Sequence, residues 1–146
     1  MKALLAITLV SLLAPLSAGE TRLGTGVSLK ESTAIKALVE QPASYVGKTL
    51  RVDGVATAVC AHMGCWMAVA AAGDEGGEGG ATIRLKVDDG VIVFPVTAKG
   101  RKVSAEGVFE VVGADGDAKD ASEEHAKQDA AASRQYQLKA TGAVIY

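Results

Sequence analysis

The sequence has few aromatic residues, few histidines and few cysteines. Its 146 residues include one Trp, three Tyr, two Phe, two Cys and two His. The fifteen basic residues are scattered among seventeen acidic ones and form no cluster that could bind a phosphate backbone, which argues against a nucleic-acid partner. The sequence also lacks a nucleophile–base pair, a phosphate-binding glycine loop and a pair of catalytic carboxylates. Nothing in it therefore points to an enzyme.

Residues 1–19 have the three parts of a cleavable signal peptide: a positive charge at Lys2, an apolar run and small residues at the end. The run is shorter than the roughly 20 residues that span a bilayer, and Pro15 interrupts it. No cysteine follows directly, which argues against a lipid anchor. Cleavage removes Lys2 and no acidic residue, so the net charge goes from −2 to −3. We expect a soluble periplasmic or secreted protein with no membrane span after cleavage.

The remaining residues, 20–146, have enough apolar material for one domain. Residues 20–32 are expected to be a flexible N-terminal segment, and residues 33–40 a short amphipathic helix that Pro42 ends. A loop rich in glycine and acid is expected at 73–80, and a second helix at 121–132, before the last strand. Strands are predicted at 49–60, 65–71, 82–87, 91–96, 102–112 and 135–146.

Three of the predicted strands carry a glycine in the middle, at Gly54, Gly107 and Gly142. Mid-strand glycines weaken a flat sheet but permit the sharp bends that close a small barrel. With about five strands in this length, the pattern favours a mainly β fold, a small closed five-stranded barrel of the oligonucleotide/oligosaccharide-binding (OB) type. The fold does not imply that either ligand is bound.

Most of the soft donor atoms of the chain lie between residues 59 and 67. Cys60 and Cys65 are predicted to bracket a tight turn between the first two long strands, with His62 and Met63 inside the turn. Three interpretations remain open. The pair forms a plain disulfide, as is common in exported proteins, it binds a metal, or it cycles between dithiol and disulfide as a redox carrier.

The metal interpretation needs a third ligand, and His125 on the second predicted helix is the best candidate. Two thiolates and an imidazole suit zinc or copper(I), and Met67, on the same strand face as Cys65, would favour copper(I). The cysteine pair is not repeated, as it is in strong zinc motifs. Trp66 is interpreted as a packing residue because so few aromatic residues are available.

These segments resemble a bacterial family of exported proteins known only as a domain of unknown function. The most specific part is Gly-Cys-Trp-Met at residues 64–67, and the resemblance also covers residues 45–54, 59–60, 83–86, 100–108, 125–130 and 136–145. It implies an OB-type barrel and a candidate site where the two cysteines meet the helical histidine. Two departures stand out: residues 74–80 look like an insertion, and Ala126 takes the place of an expected aromatic residue.

Together these features predict a soluble periplasmic barrel that binds copper(I) or zinc through Cys60, Cys65 and His125, with Met67 as a further ligand. Its role would be metal storage, transfer or sensing, with another envelope protein as a further partner. The alternatives are a structural or interaction module with a Cys60–Cys65 disulfide, or a thiol redox carrier.

Overall fold

The computed structural model of the protein describes residues 19–74, 80–112 and 136–146. The elements in chain order are β1 (Thr21–Gly24), α1 (Ile35–Glu40), a 3-10 turn (Pro42–Ser44), β2 (Thr49–Val59), β3 (Trp66–Ala70), β4 (Thr82–Lys86), a second 3-10 turn (Val96–Ala98), β5 (Lys102–Val111) and β6 (Tyr136–Ile145). The second predicted helix, at 121–132, lies outside these ranges. Within them, no helix has the length and hydropathy needed to cross a membrane.

Five of the strands form a closed barrel. Their order is β6-β4-β3-β2-β5, and pairing between β5 and β6 closes the ring. All neighbours are antiparallel except β4 and β6, which are parallel. The predicted mainly β fold with a closed five-stranded barrel is therefore confirmed. β1 lies outside the ring and pairs with the second half of β6.

The barrel interior is filled by the inward side chains of each strand. Burial in β2 alternates from Leu50 to Ala56, as expected for a strand with one face on a core. The largest side chains with almost no exposure include Phe94, Phe109, Met67, Leu85 and Leu138. Ile35 and Leu38 of α1 belong to the same core, so this helix closes part of the barrel. Burial of such side chains contributes about 1.5–3 kcal/mol each.

The mid-strand glycines lie where two backbones come unusually close. A Cβ at Gly54 would collide with the carbonyl oxygen of Ala70, and one at Gly142 with the backbone of Gly26. At Gly107 the collision would be with the carbonyl oxygen of Lys139, next to a register shift between β5 and β6. None of these three glycines has a positive φ. They are needed for space and not for an unusual backbone conformation.

One expectation about local structure is corrected, and one segment contains a strand that was not predicted. The segment 20–32, expected to be flexible, contains β1, whose four residues pair with β6. Residues 91–96, expected to be a strand, form no ladder with another strand. Ile92 and Phe94 are buried while Val91 and Val93 are exposed, so the alternation is present without strand pairing. A period of two shows which side chains face the core, but a strand also needs a hydrogen-bonding neighbour.

Residues 25–33 are tied to the outside of β2 and β5. Glu106 accepts hydrogen bonds from the backbone amides of Ser28 and Leu29, at 2.7 and 2.8 Å. Arg51 donates to the carbonyl oxygen of Leu29 at 3.1 Å, and the amide of Thr33 donates to the carbonyl oxygen of Arg51 at 2.7 Å. The hydrogen bond from Leu29 and those from Ser28 lower the pKa of Glu106, against a smaller opposing effect of burial.

Replacing Glu106 by Gln should loosen this segment. Because the folded-state pKa of Glu106 is lowered, its contribution to stability is present above the unfolded value of about 4.5 and is lost as the pH falls through the folded value. The carboxylate is exposed and screened, so we expect a loss of only about 1 kcal/mol. Amide hydrogen exchange at Ser28 and Leu29 measures the effect. Unchanged exchange in Glu106→Gln, compared with Glu40→Gln on α1 as the control, would contradict it.

Candidate functional site

The turn between β2 and β3 holds the two cysteines. The amide of Cys60 donates to the carbonyl oxygen of Trp66 at 3.0 Å, and the amide of Gly64 donates back to the carbonyl oxygen of Cys60 at 3.0 Å. Gly64 has a positive φ of 61°, which lets the chain reverse direction just before Cys65. These bonds hold the backbone at both ends of the turn, and the two cysteine side chains extend from this hydrogen-bonded backbone.

The two sulfur atoms lie 3.7 Å apart, and both cysteines are free thiols. This separation is well above the roughly 2.05 Å of a disulfide bond. The thiol of Cys65 donates a weak hydrogen bond to the sulfur of Cys60. Cys60 is half-buried, whereas Cys65 is only 6% exposed, so the two thiols are close together but differ in their access to solvent.

The Cys60 thiol is held in a setting that favours its thiolate. Burial by itself would raise its pKa, but hydrogen bonds from the backbone amides of Met63 and His62, and from the thiol and amide of Cys65, outweigh burial. They lower the pKa of Cys60 to about 7. Near neutral pH about half of the Cys60 side chains therefore carry a negative charge. The turn acts as a small cluster of amide donors around this sulfur.

The Cys65 thiol is in the opposite setting. Burial raises its pKa above the ordinary value, and its hydrogen bond to Cys60 and the negative charge of Asp89 act in the same direction. The ammonium group of Lys86 opposes them. Lys86 is itself almost fully buried, with Nζ 3.9 Å from an Asp89 carboxylate oxygen. Near neutral pH any negative charge of the pair is therefore carried by Cys60, and ionising Cys65 as well requires a strong competitor for its proton.

The loop of residues 87–96 packs against the turn. The amide of Val87 donates to the carbonyl oxygen of Cys65 at 3.1 Å, and the amide of Phe94 donates to that of Gly64 at 2.9 Å. Phe94 is buried in the core beneath this contact. Beside it, Val91 and Val93 of the loop and Met63 of the turn are more than half exposed. The turn that carries the partly exposed thiol of Cys60 therefore packs against a loop that has exposed apolar side chains.

Two other candidate ligands among the described residues lie in different settings. Met67 is fully buried in the barrel core, and His62 is exposed in the turn. His125 lies outside the described residues. Among those that are described, no group of three or more His, Cys, Asp or Glu side chains could hold a metal ion. The structure thus brings together two of the predicted ligands, Cys60 and Cys65.

The roles of three residues at this site were missed from the sequence. Lys86 and Asp89 were seen only as a strand end and a turn, and their charges act on Cys65. Gly64 was seen as part of a turn, yet it also provides room for the backbone of Phe94. The position of Gly64 directly before a predicted strand was the one sequence signal for this role. A glycine in that position often marks a place where another segment of backbone comes close. No sequence signal marked Lys86 as buried.

Trp66 takes the packing role expected of it. Its side chain is half-buried, and the guanidinium of Arg84 lies over its ring, 5.4 Å from the ring centre. Such a cation–π contact contributes about 0.5–1 kcal/mol at a partly exposed site. Trp66 therefore supports the β3–β4 pairing next to the cysteines.

Comparisons of the chain with protein-family models, curated proteins and solved structures found no match. The interpretation of the site therefore depends on its own geometry, and the resemblance to an exported family remains an expectation.

Proposed function

We propose that the protein binds one soft transition-metal ion, copper(I) or zinc, through Cys60 and Cys65, and that it serves in metal storage, transfer or sensing. The separation of the sulfur atoms carries the proposal. Two thiolates about 2.3 Å from a tetrahedral ion lie about 3.8 Å from each other. The free thiols are 3.7 Å apart, so an ion could replace the shared proton with almost no movement of the chain.

The electrostatics of the pair support the same proposal. Metal ligation requires thiolates, and the hydrogen bonds from the turn already favour the thiolate of Cys60. The second thiolate is costly because Cys65 is buried, but the charge of Lys86 reduces that cost. A cation between the two sulfur atoms would neutralise the charge directly. Soft sulfur ligands select copper(I) or zinc over magnesium or calcium.

A third ligand is part of the proposal, and His125 is our first candidate for it. The resemblance stated above implies a helical histidine at this site, and an imidazole completes a ligand set that suits zinc or copper(I). Met67 is proposed as an additional thioether ligand for copper(I), although its side chain belongs to the core. His62 and Met63 in the turn are the alternatives.

We also propose that the chain acts outside the cytoplasm, in the periplasm or as a secreted protein. The composition of residues 1–19 supports export, because it follows the plan of a cleaved signal peptide. Another envelope protein that gives or receives the metal is the expected partner. The exposed apolar side chains of Met63 in the turn, and of Val91 and Val93 in the loop packed against the turn, would suit such a contact.

Titration of the reduced, metal-free protein tests metal binding. We expect about one equivalent of copper(I) or zinc to bind with a dissociation constant below about 1 µM. Cys60→Ser and Cys65→Ser should each weaken binding at least about a hundredfold, because a hydroxyl is a poor ligand for a soft ion. Ala61→Ser in the same turn is the matched control and should bind normally. Binding weaker than micromolar by the native chain would overturn the proposal.

The pH dependence of the same titration follows from the two thiol pKa values. Above about pH 7 Cys60 is mainly a thiolate, whereas the raised pKa of Cys65 keeps its thiol protonated, so binding releases one thiol proton. Below about pH 7 both thiols are protonated and binding releases two protons. As the pH is lowered, the affinity for the metal should therefore fall more steeply below pH 7 than above it.

His125→Ala should weaken metal binding more than about tenfold, and Met67→Leu should do so for copper(I) alone. If His125→Ala binds normally, the third ligand lies in the turn.

A further inference from the structure

We infer that the Cys60–Cys65 pair is also a redox gate: Cys60 attacks a low-molecular-weight disulfide, Cys65 then closes an internal disulfide, and the metal is excluded from the closed form. This inference rests on the proposed function, because it assigns a means of regulation to the same site. It is carried by the unequal solvent exposure of two sulfur atoms that lie 3.7 Å apart on one hydrogen-bonded turn.

The geometry makes closure a short movement. The sulfur atoms need to approach from 3.7 Å to about 2.05 Å, a change of about 1.7 Å, which rotation about the side-chain bonds can provide. Main-chain hydrogen bonds at Cys60 and Gly64 hold the two ends of the turn, and closure as proposed does not require either of them to break. A loop this short limits the entropic benefit of the disulfide, so the bond is expected to be reversible.

The unequal exposure of the thiols sets the order of attack. Cys60 is half-buried on the rim of the hairpin and can meet a disulfide from solvent, whereas Cys65 is only 6% exposed and lies behind it. The thiol of Cys65 already points at the sulfur of Cys60. An incoming group bound to Cys60 is therefore in reach of one internal thiol, and Cys65 is the residue that displaces it.

The exchange balances without any other reactant. The Cys60 thiolate attacks one sulfur of the external disulfide, forms a mixed disulfide and releases one external thiolate. The Cys65 thiol loses its proton, its sulfur attacks the Cys60 sulfur, and the second external thiolate leaves. The two released thiolates take up the two protons that the cysteines gave up, so the protein loses two electrons and the external disulfide gains them. The closed form has no thiolate for a metal, so oxidation and metal binding exclude each other.

Glutathione disulfide and intact-mass spectrometry test the order of attack. The metal-free native protein should lose two hydrogen atoms and keep no adduct. Cys65→Ser should accumulate one glutathione on Cys60, because the resolving thiol is missing. Cys60→Ser should form an adduct at least about tenfold more slowly, because Cys65 is buried. Equal adduct rates in the two variants, or a stable adduct on the native protein, would overturn the inference.

Repeating the exchange experiment with zinc-loaded protein distinguishes a failure of this inference from a failure of the proposed function. Loading with zinc should slow the exchange at least about tenfold, and closure of the disulfide should release the ion. If zinc binds the reduced protein tightly but the disulfide never forms, the redox-gate inference is wrong and the proposed metal binding is retained. If the disulfide closes in the predicted order but zinc neither binds nor protects, the metal site is wrong, and the pair is a redox couple without a gate.

Discussion

Gly107→Ala is expected to destabilise the barrel by about 3 kcal/mol or more, because the added methyl group meets backbone and not a movable side chain. The built Cβ collides with the carbonyl oxygen of Lys139 and lies 2.7 Å from the Cα of Ala140. Both atoms belong to β6, which is hydrogen-bonded to β5 on either side of this point. The collision can therefore be removed only by separating β5 and β6, the two strands that close the ring.

Chemical denaturation with a β-sheet signal in circular dichroism measures this loss. Val108→Ala is the matched control, since Val108 is the next residue on β5 and is 36% exposed. It should cost less than about 1 kcal/mol. A Gly107→Ala protein as stable as Val108→Ala would show that β5 and β6 are farther apart than the structure has them.

Gly64→Ala is expected to destabilise the protein by about 3 kcal/mol and to disturb the thiol pair. Gly64 has a φ of 61°, a conformation that costs an L-residue about 1–2 kcal/mol. Its Cβ would also lie 2.5 Å from the carbonyl oxygen of Phe94 and 2.9 Å from the Phe94 amide nitrogen. The turn must then move away from the loop of residues 87–96, and the amides of His62, Met63 and Cys65 that lower the pKa of Cys60 lie in or next to that turn.

Two measurements read out this change. The free energy of unfolding should fall, and the pKa of Cys60 should rise from about 7 toward its ordinary value of 9.0, as followed by the pH dependence of thiol alkylation. Gly90→Ala is the control, because Gly90 also has a positive φ but no atom within 4 Å of its Cβ position. It should cost about 1 kcal/mol and leave the thiol unchanged. A Gly64→Ala protein with an unchanged thiol pKa would contradict the role given to the turn.

The barrel could be predicted from the sequence to a large extent. Strand β2 was expected at 49–60 and is found at Thr49–Val59, and β5 and β6 also begin and end within a residue of their expected positions. The alternation of apolar residues is a local pattern, and it appears because each strand has one face on the core. Mid-strand glycines pointed to closure of the ring. The sequence was also enough to place Cys60 and Cys65 on opposite ends of one short turn.

Other features depend on contacts between distant parts of the chain. No strand was predicted in residues 20–32, because β1 becomes a strand only by pairing with β6, more than a hundred positions away. Residues 91–96 have strand-like alternation, but the ring is already closed by other strands and offers them no ladder. Whether each segment forms a strand depends on which strands lie beside it, and the local sequence pattern does not contain that information.

By itself the sequence determined which residues could act, and the tertiary structure alone decided how they differ. The spacing of Cys60 and Cys65 predicts that the thiols are neighbours, but it treats them as equivalent. The structure makes them unequal: amides of the turn surround Cys60, while burial and the charges of Lys86 and Asp89 act on Cys65. The physical reason is that the charge on a thiol depends on its depth and on the direction of nearby dipoles, which exist only after folding.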